Sequence, residues 1–327
     1  MVKSRSPTQG TGLLPNENDP IEYERQSAFF FFFFSSFGEN IQRCLDYSLG
    51  EAIRPTFPRF PGENRVLFSM KSTHPFRKKW GQNFLADPQL LEKIVRVVQP
   101  QPSDRVLEIG PGEGSLTELL LPRVGHLAVI EIDPLLVRRL QEREGFRRVR
   151  VIHGDVLLLD LADTGLDPPL RVVGNIPYNI TTPILFWLLD QRPAWRDAFL
   201  MMQKEVAERL TAAVGSKAYG RLSVMLQTVL EVKTEFLIPP DVFYPRPRVE
   251  SALVRLAPRQ DVSLSPAQWQ RLEKITAAAF SQRRKMLRNS LKGFGFPRQI
   301  QDRIDFTRRP ETLTLEEFLL LSDPNLI

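Results

Sequence analysis

From Pro88 onward, apolar residues recur in two periods that alternate along the chain. Leu90, Leu91, Ile94, Val95 and Val98 stand at helical spacing, so a helix is predicted over 88–98, with Asp87 and Pro88 as its start signal. Val106, Leu107 and Ile109 then form a short apolar run, followed by Gly110, Gly112 and Gly114 and a helical pattern from Ser115 to Leu121. The alternation continues with strands at 127–130, 149–153, 170–174 and 198–202 and helices at 134–142, 183–189 and 205–213. Two later β-like runs, 232–238 and 251–256, are joined through the proline-rich link 239–249 and can pair as neighbours. This order predicts an α/β fold, a seven-stranded and mostly parallel sheet wrapped by helices.

Residues 1–70 break the pattern. Pro, Ser, Asn and Gly are scattered through them without helical or strand period, around the homopolymeric run Phe29 to Phe34. Six phenylalanines are far too few to span a bilayer, which takes roughly twenty apolar residues. Glu17, Asp19, Glu22 and Glu24 stand where a signal peptide would carry basic residues. The segment is expected to be a disordered or non-native extension, with Met70 a candidate initiator and no role in the fold.

Charge and cysteine usage narrow the class. The formal charge of +6 is not spread evenly: residues 1–75 sum to zero, whereas residues 258–327 hold 12 basic against 8 acidic groups. A basic excess gathered at one end suits a polyanionic partner. Within it, Arg283, Arg284, Lys285 and Arg288 are expected to open a helix that buries Met286, Leu287 and Leu291 and to face that polyanion. Earlier, residues 76–85, FRKKWGQNFL, set three cations beside aromatic residues, a mix that can mean nucleic acid. Cys44 is the single cysteine, which excludes an intramolecular disulfide and suits a reducing compartment. With three histidines and that one cysteine, no cluster has metal-ligand spacing, and no metal is expected.

Candidate chemistry gathers at strand ends, where open α/β sheets bind their ligands. Gly110, Glu131, Asp155 and Asn175 close four successive strands. The glycine loop departs from the dinucleotide fingerprint, because Ser115 stands where a third glycine would be, and so speaks against a nicotinamide or flavin site. Glu131 lies where a carboxylate could accept both hydroxyls of a ribose diol. Asn175-Ile176-Pro177-Tyr178 is the most specific motif: an amide oxygen and a rigid backbone carbonyl can accept the hydrogens of an exocyclic amine, and the aromatic ring can stack on a base. Phe243, in a loop stiffened by prolines, is a second candidate aromatic.

Taken together, GQNFL at 81–85, EIGPGEG at 108–114, VIEID at 129–133, NIPY at 175–178, VFYPRPRVESALVRL at 242–256 and FSQRRKMLRNSL at 280–291 resemble the ribosomal RNA adenine dimethyltransferases, most nearly the small-subunit (KsgA/RsmA) group. The likeness runs from about Phe76 to Leu321 and omits the extension. It implies a Rossmann-like S-adenosylmethionine-dependent methyltransferase domain, here 71–257, and a small all-helical RNA-binding domain, 258–327. It further implies S-adenosyl-L-methionine as cofactor, held by Asn83, Leu85, Gly110, Glu131, Asp155 and Asn175. Asn175, Pro177, Tyr178 and Phe243 would be the catalytic and base-stacking residues. The implied reaction dimethylates two adjacent adenines in a 3′-terminal hairpin of small-subunit ribosomal RNA during ribosome biogenesis. Its agent would be a cytoplasmic monomer that engages a pre-ribosomal particle and no membrane. A large-subunit enzyme of the antibiotic-resistance type is the first alternative, and the FSQRRKMLRNSL segment argues against it. The second is a non-catalytic assembly factor, which intact NIPY and GPGEG argue against.

Overall fold

The computed structural model describes residues 82–85 and 87–326. The extension and the basic and aromatic residues up to Gly81 lie outside them. In chain order the strands are β1 (Phe84–Leu85), β2 (Arg105–Ile109), β3 (His126–Glu131), β4 (Val149–His153), β5 (Leu170–Asn175), β6 (Trp195–Gln203), β7 (Leu230–Ile238), β8 (Phe243–Tyr244) and β9 (Ser251–Pro258). The main helices are α1 (Pro88–Val98), α2 (Ser115–Leu120), α3 (Pro134–Glu142), α4 (Thr181–Asp190), α5 (Lys204–Leu210), α6 (Arg221–Val229) and α7 (Pro266–Ser281). Shorter helices follow: α8 (Leu287–Ser290), α9 (Arg298–Gln301) and α10 (Leu315–Ser322).

Seven strands form one sheet in the order β4-β3-β2-β5-β6-β9-β7. The first five run parallel, and β9 lies antiparallel between β6 and β7, so the last two long strands are neighbours as their patterns predict. Each central strand feeds two cores, because successive side chains leave opposite faces of a sheet. Leu107, Ile109, Ala128, Ile130 and Val172 join one apolar cluster, and Val106, Leu127, Val129 and Val173 join the other. The second cluster holds the buried face of α1, whose Asp87 carboxylate accepts the Leu90 N–H at 2.8 Å and caps the helix as its sequence forecasts. The first extends from β5 and α4 through α6 to Leu272, Ile275, Leu287 and Phe318 of the carboxyl-terminal helices.

Two local expectations need correction, and helix α6 was not among the predicted elements. Helix α5 stops at Leu210 rather than 213, where the Thr211 hydroxyl turns back to the Ala207 carbonyl at 3.1 Å and competes with the backbone ladder. Helix α6 carries no amphipathic stripe, since Leu222, Ser223, Val224, Met225, Leu226, Thr228 and Val229 are all buried. Met286 is exposed, and Arg283 to Lys285 lie in a turn ahead of α8, with Leu287 and Leu291 alone buried there. Among the described residues no helix is long and apolar enough to cross a membrane, and no group of residues could hold a metal ion.

Candidate active site

The chain reverses its sheet order between β2 and β5, and the crevice beyond their carboxyl ends is the natural ligand position in such a sheet. The glycine loop forms its floor. Gly110, Gly112 and Gly114 have φ of 64, 59 and 83°, a left-handed backbone that side chains disfavour. A Cβ at Gly110 would meet only the Asn175 carbonyl, at 3.7 Å, so the crevice above it is open.

Glu131 stands at the end of β3 and is only 6% exposed. One carboxylate oxygen accepts the N–H groups of Ile132 and Asp133, both at 3.0 Å, and the other accepts the Gly112 N–H at 3.3 Å. Glu131 is thus tied to the loop it was expected to work beside. Burial raises its pKa, with the backbone donors pulling the other way. Beneath it lies Glu108, a group that sequence reading left unassigned because a carboxylate inside an apolar run looks incidental. Burial lifts the Glu108 pKa to about 7, against a 2.6 Å hydrogen bond from the Thr117 hydroxyl and with a push from the Glu131 charge. Asp155 is partly exposed and caps the turn that follows it, accepting the Leu157 N–H at 3.0 Å.

Residues 82–85 cross this floor as a strap. Gln82 donates to the Asp133 carboxylate at 3.4 Å, and the Phe84 ring lies so close to Gly112 that a Cβ there would sit 2.7 Å from it. The Asn83 carbonyl accepts the Asn175 side-chain amide at 2.5 Å. A carbonyl can only accept, so the NH₂ of Asn175 must face Asn83, and the amide oxygen is left pointing elsewhere as a fixed acceptor. Leu85 pairs with Phe243, and Phe84 with Tyr244, in the two-stranded β1·β8 ribbon. Phe243 is therefore only 4% exposed and packs among Leu85, Ile238 and Leu253.

The turn after β5 brings Pro177 and Tyr178 to the same place. The Pro177 carbonyl, expected as an amine acceptor, already takes the Ile180 N–H at 3.1 Å and the Thr181 hydroxyl at 3.3 Å, closing the turn into α4. The Ile176 carbonyl takes no hydrogen bond from the described residues. Tyr178 is partly buried, which raises its phenol pKa, and it shares a 2.6 Å hydrogen bond with the buried Ser251 hydroxyl. The structure thus gathers Asn83, Gly110, Asn175 and, through Gly112, Glu131 around one crevice, with Tyr178 at its side and Leu85 and Phe243 packed together in the ribbon beside it. Asp155 stands at the neighbouring strand end, with no bond to the others.

This arrangement has relatives. Residues 73–322 match the family described as ribosomal RNA adenine dimethylase. A ribosomal RNA small subunit methyltransferase A from Aromatoleum aromaticum is 43% identical over 259 residues, covering 77% of this chain and 95% of the relative. The protein of the same name from Legionella pneumophila strain Lens is 45% identical over 253 residues, covering 76% and 97%. Among solved structures, a dimethyladenosine transferase from Plasmodium falciparum superposes with TM-score 0.64 at 29% identity, covering 73% of this chain and 95% of that one. The 23S rRNA methyltransferase ErmE gives 0.60 at 30% identity, covering 73% and 98%. A seven-stranded sheet with its glycine loop, buried strand-end carboxylate and pinned asparagine, matched over most of its length, therefore has one reading: this chain belongs to the ribosomal RNA adenine dimethylase family, a family of methyltransferase enzymes.

Proposed function

We propose that this chain places two methyl groups on the exocyclic amine of each of two adjacent adenines in a 3′-terminal hairpin of small-subunit ribosomal RNA, within a pre-ribosomal particle. The observation that carries the reading is the Asn175 amide, fixed by the Asn83 carbonyl at 2.5 Å with its oxygen accepting no hydrogen bond from the described residues. S-adenosyl-L-methionine supplies an electrophilic sulfonium methyl; Asn83, Leu85, Gly110, Glu131 and Asp155 would hold it in the crevice. The amine lone pair of adenine is delocalised into the ring, and acceptors for its two hydrogens favour a more tetrahedral nitrogen that can attack in line. Asn175 Oδ1 is one acceptor. The Ile176 carbonyl suits the second better than that of Pro177, which two protein donors occupy. The bound donor would supply its methyl group to that lone pair, with the S–CH₃ bonding pair staying on sulfur, and the surplus amine proton would leave to water.

Tyr178 holds the flipped base by stacking, worth roughly 1–3 kcal/mol. Phe243, the second aromatic residue assigned to the base, is held in the β1·β8 ribbon beside the crevice and would support that wall by its packing. The test is single-turnover transfer from labelled cofactor to under-methylated small subunits. Asn175→Ala is expected to slow transfer more than it weakens particle binding; a normal rate at saturating cofactor would remove Asn175 from the mechanism. Mapping methylated adenines on both subunits tests the choice of RNA, since one structural relative is named for 23S rRNA.

A further inference from the structure

Between β8 and β9 the chain runs Tyr244-Pro245-Arg246-Pro247-Arg248, and burial alternates along it. Phe243, Pro245 and Pro247 turn inward to differing degrees, while Tyr244, Arg246 and Arg248 are exposed. Tyr244 is 55% exposed, high for so large an aromatic residue. Neither arginine has an ion-pair partner among the described residues, so both guanidinium groups are available to an outside anion. Pro247 biases Arg246 toward extended backbone. Two residues of such chain span roughly 6 Å, about the repeat of phosphates along a single RNA strand.

Both ends of this segment are anchored in the site. At one end Phe243 pairs with Leu85 of the strap. At the other the Glu250 carbonyl accepts the Lys204 N–H at 3.0 Å, its carboxylate pairs with the Lys204 ammonium at 2.7 Å, and the next residue, Ser251, holds the Tyr178 hydroxyl at 2.6 Å. The exposed row therefore begins and ends beside the aromatic residues assigned to the target base, and faces away from the cores.

We propose that Tyr244, Arg246 and Arg248 grip the RNA strand flanking the target adenine, Tyr244 stacking on a neighbouring base and the two arginines meeting successive phosphates. This rests on the RNA methyltransferase reading above and adds residues that position the substrate without touching the reacting atoms. An aromatic face with interleaved cations is the chemistry that holds single-stranded nucleic acid, and phosphate contacts set register without reading sequence.

The experiment uses the full chain, S-adenosylmethionine and under-methylated small subunits. Wild type is measured first: if it transfers no methyl to the particle, the functional reading itself fails. Given wild-type transfer, Tyr244→Ala is expected to raise KM roughly 5- to 150-fold with kcat little changed, and Tyr244→Phe to restore it. Arg246→Gln with Arg248→Gln is expected to flatten the dependence of log affinity on log salt by about 1.4, two phosphates at about 0.7 each. Cofactor affinity, measured by titration on the same proteins, is expected to stay at the wild-type value. Unchanged KM in Tyr244→Ala, or an unchanged salt slope in the arginine pair, overturns the inference; so does a loss of cofactor affinity, which would mean that the loop supports the fold instead.

Discussion

Replacing Gly112 by alanine should disable cofactor binding through two separable costs. The backbone there has φ of 59°, a left-handed conformation that costs an L residue about 1–2 kcal/mol. The new Cβ would lie 2.7 Å from both Cδ1 and Cε1 of Phe84, closer than side-chain atoms tolerate. Crowding of this kind costs about 1–3 kcal/mol, and the lower half is the better estimate because Phe84 is only partly buried and belongs to a two-residue strand. The sum, roughly 2–4 kcal/mol, is relieved when the free loop leaves this arrangement, and a cofactor that needs the arrangement must restore it, so its affinity is expected to weaken by about 30-fold or more. If Phe84 gives way instead, the strap moves with it and takes the Asn83 carbonyl from Asn175, so transfer slows even at saturating cofactor. Calorimetric titration with S-adenosylmethionine reads the first effect and single-turnover transfer the second. A double-mutant cycle with Phe84→Ala should recover the crowding part and leave the backbone part. Binding by Gly112→Ala within twofold of wild type, or a cycle showing no coupling, would refute this account.

Glu108→Gln should stabilise the protein in alkaline solution. The folded pKa of about 7 lies above the ordinary carboxylate value of 4.5, so the wild type keeps its full stability below pH 4.5 and loses it as pH rises through 7. The advantage of the variant should be absent at pH 4 and reach up to about 3 kcal/mol at pH 8, read from urea midpoints at both; a less stable variant at pH 8 contradicts it. Arg171→Ala should cost about 3–5 kcal/mol, since it strips the buried carboxylates of Asp104 and Asp197 of hydrogen bonds of 2.8 Å each, and the urea midpoint should fall accordingly. Tyr178→Phe loses only the Ser251 bond, about 1 kcal/mol, and should stay largely active, whereas Tyr178→Ala should not. Phe243→Ala should lose transfer together with about 3–5 kcal/mol of stability, and Phe243→Leu, which keeps the packing, tells the two losses apart when both rate and midpoint are measured. Reversing Arg284 and Lys285 should weaken particle binding in a salt-dependent way and spare cofactor affinity; Arg283 is excluded because it donates to the carbonyls of Ser216 and Lys217.

The parallel half of the sheet was legible because its strands are buried on both faces and read as apolar runs, as Leu127 to Ile130 and Leu170 to Gly174 do. That the glycine loop, Glu131 and Asn175 stand at strand ends was legible for a related reason, because each follows such an apolar run, and strand ends are where ligands sit in such sheets. Helix α6 was not, because its faces are nearly all covered and even Ser223 and Thr228 are interior, leaving no period to detect. Nor was the β1·β8 ribbon, since two residues cannot show a period of two, and its strands lie 158 residues apart in the chain. The ribbon decides what Phe243 can do: a loop aromatic in the sequence is an interior one in the fold. Likewise the Pro177 carbonyl looked available until the turn into α4 was seen to use it.

That same ribbon sets a schedule for synthesis. Phe84 and Leu85 leave the ribosome early, yet their partners are Tyr244 and Phe243, and ribosomes add about 5–20 residues per second. The strap therefore waits roughly 8–30 s for the strand that holds it. Until Ser251 follows, Tyr178 also lacks its hydroxyl partner, and β6 presents an open edge that only β9 will cover. The glycine loop can form first, but the crevice is not closed until nearly the whole sheet has been made. A newborn chain thus lacks a complete crevice until β9 slots between β6 and β7.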